Sequence, residues 1–162
     1  MNALSAEALE ADKADAWKED GEASRGDLGE RFYKHPLSRR SLGFSFRVIR
    51  EIGERGWIND DSNHEHPIAV LMEGLTNAAA KLIGALNGGD WPPELDFCAN
   101  KIVQLKKAAN HLDDAKLAAD SCRDESLVDP VWLAEIWREI DEIGAETDAL
   151  IDELRARLEA GS

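Results

Sequence analysis

The chain has 162 residues, 43% of them hydrophobic and 32% charged, with a formal charge of -14. That is roughly one domain's worth of sequence, able to close a core. The negative average field repels phosphate, which argues against nucleic acid or an anionic membrane surface as the main partner.

The N-terminus, MNALSAEALEADKADAW, is acidic and lacks the basic start and apolar stretch of a secretion signal. Residues 3–20 are rich in Ala and acids, with only Leu4, Leu9 and Trp17 as large apolar groups. They form helix readily but have a poor hydrophobic face. The three glycines and the proline in GEASRGDLGERFYKHP then mark a loop. Residues 1–36 are therefore expected to be an acidic helix or arm set apart from residues 37–162.

Residues 38–57 predict the first strong helix, capped by Ser38 or Ser41 and stopped by Gly56. Leu42, Phe46, Ile49 and Ile52 make its apolar stripe, widened by Phe44 and Val48. Residues 66–87 have the clearest period: Ile68, Met72, Leu75, Ala79, Leu82 and Leu86 alternate steps of four and three, as in a bundle seam. Pro67 suits the first turn, and Gly88-Gly89 suits the stop.

After Asp90-Trp91-Pro92-Pro93, read as the start of the next helix, the same stripe continues through Leu95, Cys98, Ile102, Leu105, Ala109, Leu112 and Ala119. Lys116 falls on this face, where its stem can lie along apolar surface while its ammonium reaches water. Asp129-Pro130 is a strong start signal for the last helix, whose stripe runs from Leu133 through Ile140 and Thr147 to Leu158.

No stretch alternates apolar and polar residues as a strand does. Short connections fold successive helices back on one another. The expected fold is all-α: an antiparallel up-and-down four-helix bundle with an additional N-terminal helix or arm. The last two helices are longer than the first two. Their overhang is expected to be covered by the N-terminal helix or by a second copy.

Charge is unevenly distributed. Residues 37–57 carry Arg39, Arg40, Arg47, Arg50 and Arg55 against Glu51 and Glu54, whereas residues 125–162 carry eleven acids against Arg138, Arg155 and Arg157. The bundle makes the first and last helices neighbours, so the plain expectation is that these segments pair. The sharper one is that Arg39, Arg40, Arg47 and Arg50 capture a phosphate-containing ligand or an acidic partner.

Catalytic signals are sparse. Cys98 and Cys122 stand 24 positions apart on one predicted helix, about 36 Å, too far for a disulfide. Cys122 falls off the stripe beside Arg123, where exposure would make it reactive. His66 lies level with His111 and Asp114 on the neighbouring helix. On a straight projection, however, His111 and Asp114 lie about 140° and 160° from the stripe, facing solvent, whereas bundle metal sites project inward.

No metal site and no cofactor is therefore assigned, and a metal-dependent enzyme remains only an alternative. Trp132 and Trp137 are five apart and cannot both centre on one stripe, so one of them is expected to reach the N-terminal segment or a partner surface. The expectation is a cytoplasmic, non-enzymatic bundle acting through self-association or contact with another protein, with no nucleic-acid or membrane partner.

Overall fold

The computed structural model describes residues 35–58, 63–87 and 91–161. These residues form four helices and, among themselves, no strand: α1 (Pro36–Arg55), α2 (Pro67–Leu86), α3 (Leu95–Asp124) and α4 (Pro130–Gly161). The expected helix over residues 3–20, its following loop up to residue 34, the Gly88-Gly89 stop and Asp90 lie outside the described residues.

The helix starts follow local chemistry. His35 and His66, each followed by proline, cap α1 and α2: their Nδ1 atoms accept from the backbone N–H of Leu37 and Ile68, both at 3.1 Å. Asp129 caps α4 by accepting from the N–H of Trp132 at 3.0 Å. Each proline takes a position whose missing N–H has no intrahelical partner to lose. Gly56, at φ 68°, closes α1 in the left-handed conformation that glycine adopts without strain.

Two expected starts move. α1 begins before Ser38 and Ser41, which are buried within it, and α3 begins after Pro92 and Pro93.

Each helix packs against the next, and α1 also packs against α4. The core runs through Leu71, Leu75 and Leu82 of α2, Leu105 and Leu112 of α3, and Ile136, Ile140 and Ile143 of α4. α2 is long and apolar enough to cross a membrane by length and composition alone. It is interrupted by Glu73 and Lys81, and its apolar side faces this core.

Small residues line the contact between α2 and α3. A Cβ added at Gly74 would meet the His111 carbonyl oxygen at 3.1 Å and Ala115 Cβ at 3.2 Å. Part of the extra length of α4 is covered by the start of α3 and the residues just before it: Arg157 donates to the Pro93 carbonyl at 3.0 Å, and Leu95 lies against Gly161.

α1 corrects the sequence reading most. Its inner face is Leu37, Ser38, Ser41, Phe44, Ser45, Val48 and Ile52, all buried. Phe46 and Ile49, expected on the core stripe, are 61% and 38% exposed. Two apolar arcs share this helix, and the arc that includes the serines turned inward. Serine is small enough for close helix approach, and two of the hydroxyls are satisfied by backbone: Ser38 Oγ donates to the Leu82 carbonyl at 3.4 Å and Ser45 Oγ to that of Leu42 at 2.8 Å.

Substituting Gly74 with Leu should lower stability by about 1–3 kcal/mol through overpacking. Gly84→Ala, where nothing lies within 4 Å of the added Cβ, should raise it by about 0.5–1 kcal/mol. Urea unfolding of the two variants against the parent checks both signs.

Candidate functional site

Among the described residues, the chemistry-bearing side chains gather at the seam between α1 and α4, on α3 and its contact with α4, and on the outer face of α1. On α4, residues 139, 142 and 146 recur at helical spacing and so share a face. Arg40 projects from α1 onto that face. Its Nε donates to Glu139 at 2.7 Å, its Nη2 to Glu142 at 2.6 Å, and its Nη1 pairs with Glu146.

One guanidinium thus spans three carboxylates. The hydrogen bond to Glu139 is the chief cause that raises the Arg40 pKa, and the same bond holds the Glu139 carboxyl below its ordinary range. Arg47 lies over the Phe44 ring, 5.5 Å from its centroid, and 3.7 Å from Glu51. Arg50 reaches Glu51 and Glu54 at 3.8 and 3.9 Å.

The four arginines sit on one helix, and three of them lie within 4 Å of carboxylates. Arg39 also has a partner. A small anion taken up at Arg40 would displace its carboxylates and leave three acids crowded together.

The tryptophans divide. Trp132 is buried in the core, donates its indole N–H to Glu51 at 2.7 Å and packs on Trp57 at a centroid distance of 4.7 Å. Trp137 is half-buried under Lys116, whose Nζ stands 4.7 Å from the ring and 2.9 Å from Asp141. Lys116 therefore lays its stem along the α3–α4 contact and ends in a carboxylate. A cleft of about 350 Å³, lined by Ala119, Arg123, Leu133 and Trp137, opens beside this pair.

Cys98 and Cys122 are both fully buried. Cys122 corrects the straight-helix projection. From Cys98 through Ile102, Leu105, Ala108, Leu112, Ala115 and Ala119 to Cys122, the buried line takes seven steps over 24 residues. That is about 3.4 per step, so the core face winds round the helix and reaches Cys122. Burial, with Glu125 second, pushes its thiol up to about 11, far from the depressed values of reactive cysteines.

His66 caps α2, and Asp114 is exposed. Among the described residues no group of three or more His, Cys, Asp or Glu is placed to hold a metal ion. Comparison with family models, curated proteins and solved structures returned no match.

Sequence reasoning missed two features. One is the use of His35 as a cap stacked edge-on against Trp91, with centroids 5.5 Å apart. The other is the outward apolar arc of α1, whose only signal was that Phe46 and Ser45 compete for the same helix at neighbouring angles.

Protonation should expose the charged seam and the cap. His35 is held below its ordinary 6.5, first by burial and then by Arg39, against Glu153 and Glu146, which act the other way. A depressed histidine contributes stability that is whole above 6.5 and lost as pH falls through its folded value. The lowered Glu139 contributes stability that is whole above 4.5 and lost below it.

Thermal midpoint against pH should therefore show two acid limbs. His35→Asn, which caps without titrating, should flatten the upper limb. Arg40→Met should flatten the lower limb and cost about 1–2 kcal/mol at neutral pH. A separate check concerns the thiols: a thiol reagent at about pH 8 should leave both cysteines unmodified in the folded chain and titrate two per chain after denaturation.

Proposed function

We propose that this chain is a helical-bundle protein that works by contact with protein surfaces, its own included, rather than by catalysis. The observation that carries this reading is the outer face of α1. Leu42, Phe46 and Ile49 stand at i, i+4 and i+7; Leu42 is half-buried, and Phe46 and Ile49 are 61% and 38% accessible. Scattered surface apolar groups are ordinary, whereas a contiguous set on one helix face marks a contact site. Among the described residues, Arg40, Lys116 and Trp132 are engaged across helix contacts, and His35, His66 and Asp129 in helix caps.

The bundle is proposed to run alternately up and down. Supporting this, Ser38 near the start of α1 meets Leu82 near the end of α2, and Lys101 near the start of α3 donates to Gly84 of α2 at 3.4 Å. Glu51 near the end of α1 meets Trp132 at the start of α4, and Leu95 at the start of α3 lies against Gly161 at the end of α4. A reducing, cytoplasmic setting suits two buried, unpaired thiols.

Light scattering coupled to size exclusion should return a mass above the 17.9 kDa of one chain, rising with loading concentration. A mass of one chain at every concentration, with no co-purifying protein, would sink the proposal.

A further inference from the structure

We infer that the two His-Pro starts, His35-Pro36 and His66-Pro67, form an acid-operated device: when their imidazoles take up a proton, the first turns of α1 and α2 open while the start of α4 stays closed. The inference does not depend on the self-association reading above.

The two starts use the same chemistry. In each, the imidazole Nδ1 accepts from the backbone N–H two residues on, that of Leu37 or of Ile68, at 3.1 Å. An Nδ1 that accepts carries no proton, so the ring is neutral with its proton on Nε2. The imidazolium has donors at both nitrogens and nothing to accept with. Protonation therefore removes the cap hydrogen bond and sets a positive charge at the positive end of the helix dipole. The ring that holds the turn closed at neutral pH pushes it open in acid.

Neither α1 nor α2 has an acidic residue in its first turn. By contrast, α3 has Asp96 there, and α4 is capped by the Asp129 carboxylate. Carboxylates in general lose their charge only well below the range in which imidazoles gain theirs. A fall in pH through the histidine range thus acts on α1 and α2 and spares α4.

Both openings reach the core. Leu37 and Ile68, whose N–H groups the rings hold, are buried. On the alternating topology proposed above, the two caps stand at opposite ends of the α1–α2 pair, so acid loosens that pair from both ends.

Among the described residues, the groups around each ring set its response. At His35, Glu146 and Glu153 of α4 favour the imidazolium, Arg39 of α1 opposes it, and burial opposes it most. Trp91 packs edge-on against the ring. Residues 82–87, the stretch of α2 reached through the Ser38–Leu82 contact, hold no ionisable group. His66 follows His64 and Glu65 in the chain, both exposed. Counted from Gly74 against Ala115 and from Ser38 against Leu82, the charged groups level with it are Asp120, Arg123 and Asp124 of α3 and Glu54 and Arg55 of α1.

Amide hydrogen exchange by NMR, corrected for the intrinsic pH dependence of exchange, reads the device at the first backbone bonds of three helices. These run from the Arg39 N–H to the His35 carbonyl, from the Val70 N–H to that of His66, and from the Leu133 N–H to that of Asp129. From about pH 7.5 to about pH 5, protection at Arg39 and Val70 should fall about tenfold, and protection at Leu133 should stay within about twofold. In the same titration the Leu37 and Ile68 amide shifts should follow the ring protons of His35 and His66. The double variant His35→Asn, His66→Asn, whose caps do not titrate, should keep its protection at Arg39 and Val70 at the lower pH. Protection at Arg39 and Val70 that does not fall in the parent overturns the inference. So does an equal fall at Leu133, or a fall as large in the double variant. Should the double variant lose its helical circular dichroism at neutral pH, the parent decides alone: Leu37 and Ile68 amide shifts that move apart from their rings overturn the device.

Discussion

The close approach of α2 and α3 is the constraint on which the rest of the bundle depends. Gly74 faces the backbone of His111 and Ala115 with room for little more than a hydrogen, and Ala78, Ala108 and Ala115 are all fully buried nearby. Small residues at a helix contact let the backbones draw together, which multiplies dispersion contacts per residue. The larger side chains, Leu71, Leu75, Leu105 and Leu112, then fill the space on either side, and α4 closes over them with Ile136, Ile140 and Ile143. Helix pairing this tight commits each α3 residue to one direction, and so decides what is left for α1 and for the surface.

α1 is the looser member. It meets α4 through a thin contact whose strongest elements are polar: the Arg40 guanidinium across three glutamates, and the Trp132 indole on Glu51. Ion pairs at partial exposure stabilise modestly, but they fix orientation well, because a planar guanidinium must meet its acceptors in one geometry. Burial of Ser38, Ser41 and Ser45 fits the same picture. The inner face gives up apolar area for closeness, and the displaced apolar area appears outside as Phe46 and Ile49.

Chemistry that looked open in one dimension is closed in three. The thiol of Cys122, about a third of a turn off a straight projection, is buried because the core face winds around α3. His66, one arm of the conceivable metal cluster, is engaged as a helix cap. Lys116, a charge on an apolar face, ends at Asp141 after passing Trp137. These side chains serve structure, and the function proposed for the chain therefore rests on a surface.

The sequence by itself determined the helices. Four-three spacing in α2, proline at the first turn of α2 and α4, and glycine after α1 are local signals, and local signals act through backbone geometry that needs no partner. The charged match of α1 with α4 was legible too, since composition alone set a basic segment and an acidic one in neighbouring helices. Which of two apolar arcs on α1 turned inward was not legible. Phe46 is the better core residue by hydrophobicity, and only the spacing demanded by α2 and α4 favoured serine in its place. The fate of Cys122 and the outward stripe of α1 share that cause: a side chain's direction follows from how whole helices wind and approach, a property of the packed assembly and not of any single segment.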